Sequence, residues 1–232
     1  MSETDLRVIS LGAGVQSSAM LLMSLYGDIE RADCAIFADT GWEPKAVYGH
    51  LERIKDECAK YDFPLYIISK GNIREDVLLH IEAYHSTGNK WSRAAQPPFM
   101  VIDHEGKEGL PPDTGGRLWR QCSREYKVDP IQRKIRELLG YKPKQRVTKQ
   151  VESWQGISVD EAHRMRDSRV KWMTNKYPLV DKRMDRNNCQ HYLERHGWEN
   201  VPKSACVGCP YHSNAYWRDQ RDNRPDEWND SV

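Results

Sequence analysis

No stretch of this 232-residue chain comes near the roughly 18 consecutive apolar residues that a membrane-crossing helix requires. The opening "MSETDLRVIS" lacks the basic and apolar regions of a secretory leader. Strong net charge is missing too, since 35 Lys and Arg stand against 34 Asp and Glu, a formal +1. There is no internal repeat. These absences predict a cytoplasmic protein with no membrane partner, and they change how the six cysteines are read. In a reducing compartment cysteines serve as metal ligands or core residues more often than as a disulfide framework. What the chain does have is 38% apolar residues and eight tryptophans, enough for a packed core. Its length suits one large α/β domain or a domain with an extension.

The balanced total hides one local excess. From Arg117 to Lys149 there are eleven Lys and Arg against three Asp and Glu, a local balance of about +8. Such a span suits a polyanion, either a nucleotide or a nucleic acid, though a solvated helix face with basic flanks would read the same way.

Residues 6–11 read as a strand and Ser17–Tyr26 as a helix ended by Gly27. "CAIFA" (34–38) is a second strand. After "DTGWEP", Val47, Leu51, Ile54 and Cys58 mark one face of a helix, and "PLYIIS" (64–69) is a third strand. Strands alternating with helices, without hairpin signals, predict parallel βαβ units and a doubly wound sheet. Residues 84–120 are rich in Gly, Pro and polar groups and read as an insertion. "DPIQRKIRELLG" predicts a helix with Asp129 as N-cap and Pro130 as its first residue. "RVTKQVESW" reads as a strand, and Ser158 with Glu161 as a capping box. The tail "RDQRDNRPDEWNDSV" is too polar to pack by itself. The expected organisation is a nucleotide-binding α/β domain over residues 1–160 and a helical, cysteine-containing extension over 161–232.

The stretch with the most chemistry is "SLGAGVQSS", between the first strand and the first helix. Gly12 and Gly14 let backbone approach an anion without a Cβ in the way. Ser10, Ser17 and Ser18 offer hydroxyls, and the helix start offers unpaired N–H groups. The loop matches neither the GxGxxG nor the GxxxxGK[ST] pattern, and no lysine reaches phosphate from it. It can be a phosphate cradle or a tight turn.

The loop resembles the PP-loop of the adenine-nucleotide α-hydrolase superfamily, usually S-x-G-G-x-D-S. "FADTGWEP" (37–44), "CSREYKVDPI" (122–131), "WQGISVDEAHRMRDS" (154–168), "YPLVDKRMDRNNCQHYLERHG" and "CVGCP" are similar, in order, to segments of its PAPS/APS reductase branch. The resemblance implies a PP-loop, HUP-like Rossmannoid fold with a mostly parallel sheet. It also implies ATP bound at Ser10, Gly12, Ala13, Gly14, Gln16, Ser17 and Ser18, with Mg²⁺. Three residues depart from the pattern. Ala13 stands for Gly, Gln16 for Asp, and Ser158 for a common Arg. A neutral Gln16 is a poorer Mg²⁺ ligand, so Asp39 of "ADTG" is the candidate to supply the missing catalytic carboxylate.

Cys206 and Cys209, two residues apart in CxxC, can grip one metal centre from a single turn. The resemblance points to Cys122 as a further ligand, although the family's adjacent cysteine is Ser123 here. Cys189 completes a set of four suited to a [4Fe–4S] cluster. Zinc is the alternative, with His191, His196 or His212 replacing a thiolate. Cys34 and Cys58, in an apolar strand and on an apolar helix face, are expected to be inert core residues.

A thioredoxin-dependent reductase of this family needs a nucleophilic cysteine in its tail, and no cysteine follows Cys209. What remains resembles the cluster-bearing members that put sulfur into nucleic acids, DNA-phosphorothioation proteins among them. The expectation is therefore an ATP-dependent sulfurtransferase acting on a nucleic acid through the 117–149 span, supplied by a sulfur-donor protein and assembled as a homo-oligomer. A sulfonucleotide reductase with an unusual thiol arrangement, or a non-catalytic nucleotide-binding module, are the alternatives.

Overall fold

The computed structural model describes residues 4–87, 97–98, 100–103, 114–117 and 120–231. In chain order the elements are β1 (Leu6–Leu11), α1 (Val15–Tyr26), β2 (Cys34–Asp39), α2 (Lys45–Lys60), β3 (Leu65–Ser69) and α3 (Ile73–Thr87). Next come β4 (Met100–Asp103), β5 (Thr114–Arg117), α4 (Asp129–Leu138), β6 (Val151–Gln155) and β7 (Met173–Lys176). Helices α5 (Pro178–Asp181), α6 (Arg186–Arg195), α7 (Asn214–Asn223) and α8 (Pro225–Ser231) follow. The chain forms two compact units that interleave along the sequence. The first holds Met1–Ala38, Lys45–Ile68 and Ile131–Ser204, and the second Asp39–Pro44, Ser69–Pro130 and Ala205–Val232.

The first unit is the α/β layer structure that the alternation of strands and helices predicts. Its sheet has the order β3-β2-β1-β6-β7, and β1 pairs in parallel with both β2 and β6. Side chains alternate between the two faces of β1 and β2 with the two-residue period of a strand. Ile9, Leu11, Ala35 and Phe37 join α1, α2 and α6 in one core, while Val8, Cys34 and Ile36 join Ile131 and Ile135 of α4 in the other. Burial on both faces is what a parallel sheet requires. Helix α1 is buried from Val15 to Leu25, and Gly27 ends it in the left-handed region at φ 89°. Gly27 is thus in the terminating role read from the sequence. On α2, Val47, Leu51, Ile54 and Cys58 are buried as expected, and His50 is buried with them.

In the second unit β4 and β5 form an antiparallel pair, and Trp42, Ile73, Tyr126 and Val207 form an apolar cluster. The Gly- and Pro-rich stretches of the 84–120 insertion lie largely outside the described residues.

Several local expectations need correcting. Asp129 is not an N-cap: Arg124–Val128 already winds as a π-type turn that leads into α4, and Asp129 has helical φ −65° and ψ −42°. Ser158 does have the extended backbone of a cap. Its hydroxyl makes no capping bond, however, and the turn that follows, Val159–Arg164, is a 3₁₀ helix. The strand expected from Arg146 begins only at Val151. The polar tail packs after all, through α7 and α8, with the Trp217 and Trp228 rings edge to face at 6.2 Å. Among the described residues no helix is long and apolar enough to cross a membrane.

Candidate functional site

In the first unit the strand order reverses between β1 and β6, and ligands of doubly wound sheets bind beyond the carboxyl strand ends at such a reversal. The β1–α1 turn, Gly12-Ala13-Gly14, stands there. Ala13 is fully buried and holds φ 55°, a left-handed conformation that costs a non-glycine residue about 1–2 kcal/mol. The turn therefore keeps the backbone shape of a glycine even though the residue is alanine. Gly14 is the N-cap of α1, with no side chain to satisfy the first helical amides. The N–H groups of Val15, Gln16 and Ser17 have no partner within the helix and form the positive end of its dipole.

The turn is braced from within. Ser17 Oγ accepts from the Gly12 N–H at 3.2 Å and the Gly14 N–H at 3.3 Å. The Ser204 hydroxyl donates to the Gly12 carbonyl. Gly156, just past β6, presses on the same place, since a Cβ there would lie 2.8 Å from Ser17 N and Cα. Gln16 is buried and used at both ends: its amide nitrogen donates to Ser158 Oγ at 3.4 Å, and its oxygen accepts from Arg186 at 3.0 Å. The two departures at positions 16 and 158 are thus bonded to each other. Two open clefts of the first unit, about 660 and 670 Å³, contain no residue of the loop.

Ser18, fully inside, bonds His50 Nε2 at 2.9 Å. Burial, with the Arg53 charge second, lowers the His50 pKa from 6.5 to about 4, so the ring is neutral when folded. The unfolded chain binds the proton more readily, so this contribution is whole above about pH 6.5 and is lost as pH falls towards about 4. Denaturant titrations at about pH 7 and about pH 5 should differ by about 2 kcal/mol from this group, and His50→Gln should flatten that slope. An unchanged slope in the variant would assign the acid limb to other groups.

Asp39 ends β2, and its Oδ1 accepts the Gly41 N–H at 2.8 Å in a turn of its own making. It falls in the second unit.

The cysteine turn belongs to that second unit. Cys209 N–H bonds the Cys206 carbonyl at 3.0 Å, and His212 Nε2 donates to the same carbonyl at 2.8 Å. A Cβ on Gly208 would overlap the Trp42 ring, so only glycine fits between the two thiols. Cys122 and Cys206 both pack against the Trp42–Tyr126 cluster. Cys206 Sγ lies 3.3 Å from Thr40 Oγ1, and Thr40 also donates to Glu43, whose carboxylate meets Lys127 at 3.1 Å. Burial, then the Glu43 carboxylate, pushes the Cys206 thiol up to about 12. Burial opposes the charge on Lys127, but Glu43 and Cys206 outweigh it and raise that ammonium above its usual value. Sequence reading found neither Thr40, Glu43 nor Lys127, because each reaches Cys206 only through the folding of distant segments.

Cys189 belongs to the first unit. It is fully buried in the apolar core with Leu179, Tyr192 and Leu193, and burial raises its thiol to about 12. Cys34 and Cys58 are buried core residues as expected. Among the described residues no group of three or more His, Cys, Asp or Glu side chains is arranged to hold a metal ion. Donor chemistry still favours the three thiols of the second unit, two from one turn and a third on the same apolar cluster. Cys189 sits in the setting of a core residue.

The basic span is divided between the units. Several of its cations are engaged: Arg124 with Asp129, Lys127 with Glu43, Lys134 with Glu137. Lys142, Lys144, Arg146 and Lys149 are exposed on the first unit.

No family model matches the chain, and none of the curated proteins matches it. Solved structures that resemble it include a phosphoadenylyl-sulfate (PAPS) reductase from Candida auris in a phosphate complex. That match has 16% identity and a TM-score of 0.48, over 86% of this chain and 75% of that one. The U34-tRNA thiolase NcsA from Methanococcus maripaludis, with its [4Fe-4S] cluster, is similar at 13% identity and a TM-score of 0.45, over 99% of this chain and 70% of that one. The first bears the name of the reductase family that the motifs resemble.

Proposed function

We propose that the chain is an ATP-dependent sulfurtransferase acting on a nucleic acid, with the phosphates of an adenine nucleotide held at Ser10–Ser18. The observation that carries the nucleotide reading is the β1–α1 turn. It stands at the strand-order reversal, keeps a left-handed residue at Ala13, and leaves Gly14 as a bare N-cap. Backbone amides and a helix N-terminus together make an anion site without any lysine. In this reading ATP turns an oxygen of the acceptor into a leaving group, and sulfide from a donor takes its place.

Cys122, Cys206 and Cys209 would bind an iron–sulfur cluster, which supplies an iron site able to take up sulfide. The chain's own part is to close the CxxC turn with His212 and Gly208 and to set Thr40 beside Cys206. The exposed Lys142, Lys144, Arg146 and Lys149 would meet the phosphate backbone of the acceptor.

The test begins with calorimetry. Gly14→Val adds a branched side chain at a Cβ position already 3.1 Å from Ser204 Cβ, where phosphate must meet backbone. ATP affinity should fall about tenfold or more in a variant that still melts cooperatively. Unchanged affinity would remove the loop from the site. Anaerobic protein given ATP and sulfide should then place sulfur in DNA or tRNA. A loaded protein that binds ATP but modifies neither would exclude the transferase reading.

A further inference from the structure

Position 16 holds a glutamine whose amide is engaged at both its nitrogen and its oxygen. Arg186 can only donate, so the atom facing it is the Gln16 oxygen, and the Gln16 nitrogen faces Ser158. This fixes the side chain between β6's far end and the start of α6, in the first turn of α1. No acidic residue stands in that turn. Arg186 is the first residue of α6, and its backbone N–H, not its guanidinium, bonds the Asp160 carboxylate at 3.1 Å. Among the described residues the guanidinium makes no contact ion pair, its one side-chain bond is to the neutral Gln16, and its charge reaches the Asp160 carboxylate only at longer range.

An aspartate at position 16 would neutralise that guanidinium. Glutamine aims it and leaves its charge intact. Five N–H donors in a planar fork, one of them used, suit the oxygens of a phosphate. The charge stands beside the dipole end of α1, so both act on an anion at the same place. Resting on the nucleotide reading above, we infer that Arg186 is a phosphate-positioning residue of the loop. It supplies the positive charge that a divalent cation would need an acidic residue at position 16 to hold. Nucleoside triphosphate therefore binds at this loop without Mg²⁺.

Calorimetry of the full chain with ATP, once with Mg²⁺ and once with EDTA, tests this. Wild-type affinity should agree within a few-fold between the two conditions. Arg186→Gln should weaken ATP in EDTA by about ten- to a hundredfold, with Arg186→Lys in between, while adenosine binding stays as it was. Gln16→Asp should weaken ATP in EDTA and restore it with Mg²⁺. Melting curves show whether each variant is folded, and Arg186 is exposed enough that all should be. A folded Arg186→Gln protein that binds ATP in EDTA as tightly as wild type overturns the inference. So does a wild type that binds only with Mg²⁺. A wild type that binds ATP in neither condition overturns the nucleotide reading itself, a result separate from the other two.

Discussion

Prepared without oxygen, the protein should lose its iron when Cys206, Cys209 or Cys122 is replaced by alanine, and keep it when Cys34, Cys58 or Cys189 is. The first three are thiols of one unit, and Cys206 and Cys209 leave a single hydrogen-bonded turn. The other three are buried side chains of the first unit's cores. Removing Cys189 leaves a small cavity beside Leu179 and Leu193 and so lowers stability without touching a ligand. The expected loss at Cys206 is complete, because a cluster held by three thiolates cannot spare one. Iron and sulfide analysis with the visible spectrum reads the result. Uptake should also rise with pH, since burial pushes the Cys206 thiol up to about 12 and the metal must displace its proton. Stoichiometric zinc without iron would sink the cluster. Iron lost with Cys189→Ala in a folded protein would restore a fourth ligand.

Gly156→Val is the second large effect. A Cβ at this position would sit 2.8 Å from both the N and the Cα of Ser17, and these are backbone atoms that cannot swing aside. Valine adds two methyl groups to that overlap. Overpacking of this kind costs about 1–3 kcal/mol, so a clear drop in melting temperature is expected. The larger consequence is local. Ser17 holds the Gly12 and Gly14 amides, so moving it opens the turn. ATP binding should then fall below detection while the second unit keeps its iron. A variant that melts lower but binds ATP normally would separate the turn from the site.

Much of the first unit can be read from periodicity. Val8, Ile9 and Leu11 alternate as a strand between two cores must, and Val47, Leu51, Ile54 and Cys58 fall on one helical face. The small-residue connection between β1 and α1 was legible as a tight turn, because glycines lack the Cβ that so sharp a strand-to-helix connection crowds. Asp129 misled, since an Asp-Pro start looks the same whether or not a preceding turn already winds into the helix. Ser158 misled because its hydroxyl is shared between Gln16, far away in sequence, and the Asp160 carboxylate. Arg186, Ser204 and Gly156 act on the loop from distant segments, and no spacing rule reaches that far. Cys189 shows the same limit from the other side. Its neighbours in sequence are polar, but its neighbours in space are leucines and a tyrosine.

The interleaving of the two units carries a consequence for how the chain is made on the ribosome. The first unit's central strand, β1, cannot gain its neighbour β6 until residue 155 has been synthesised. The second unit waits longer, because it is assembled from 39–44, 69–130 and 205–232. During that interval Cys122 has left the tunnel without the turn that carries Cys206 and Cys209, and Trp42 without the backbone it is to cover. The nascent chain therefore exposes the Trp42 indole for most of its synthesis and the Cys122 thiol only within the second half, an interval in which a holdase or an iron-delivery factor would have its opportunity.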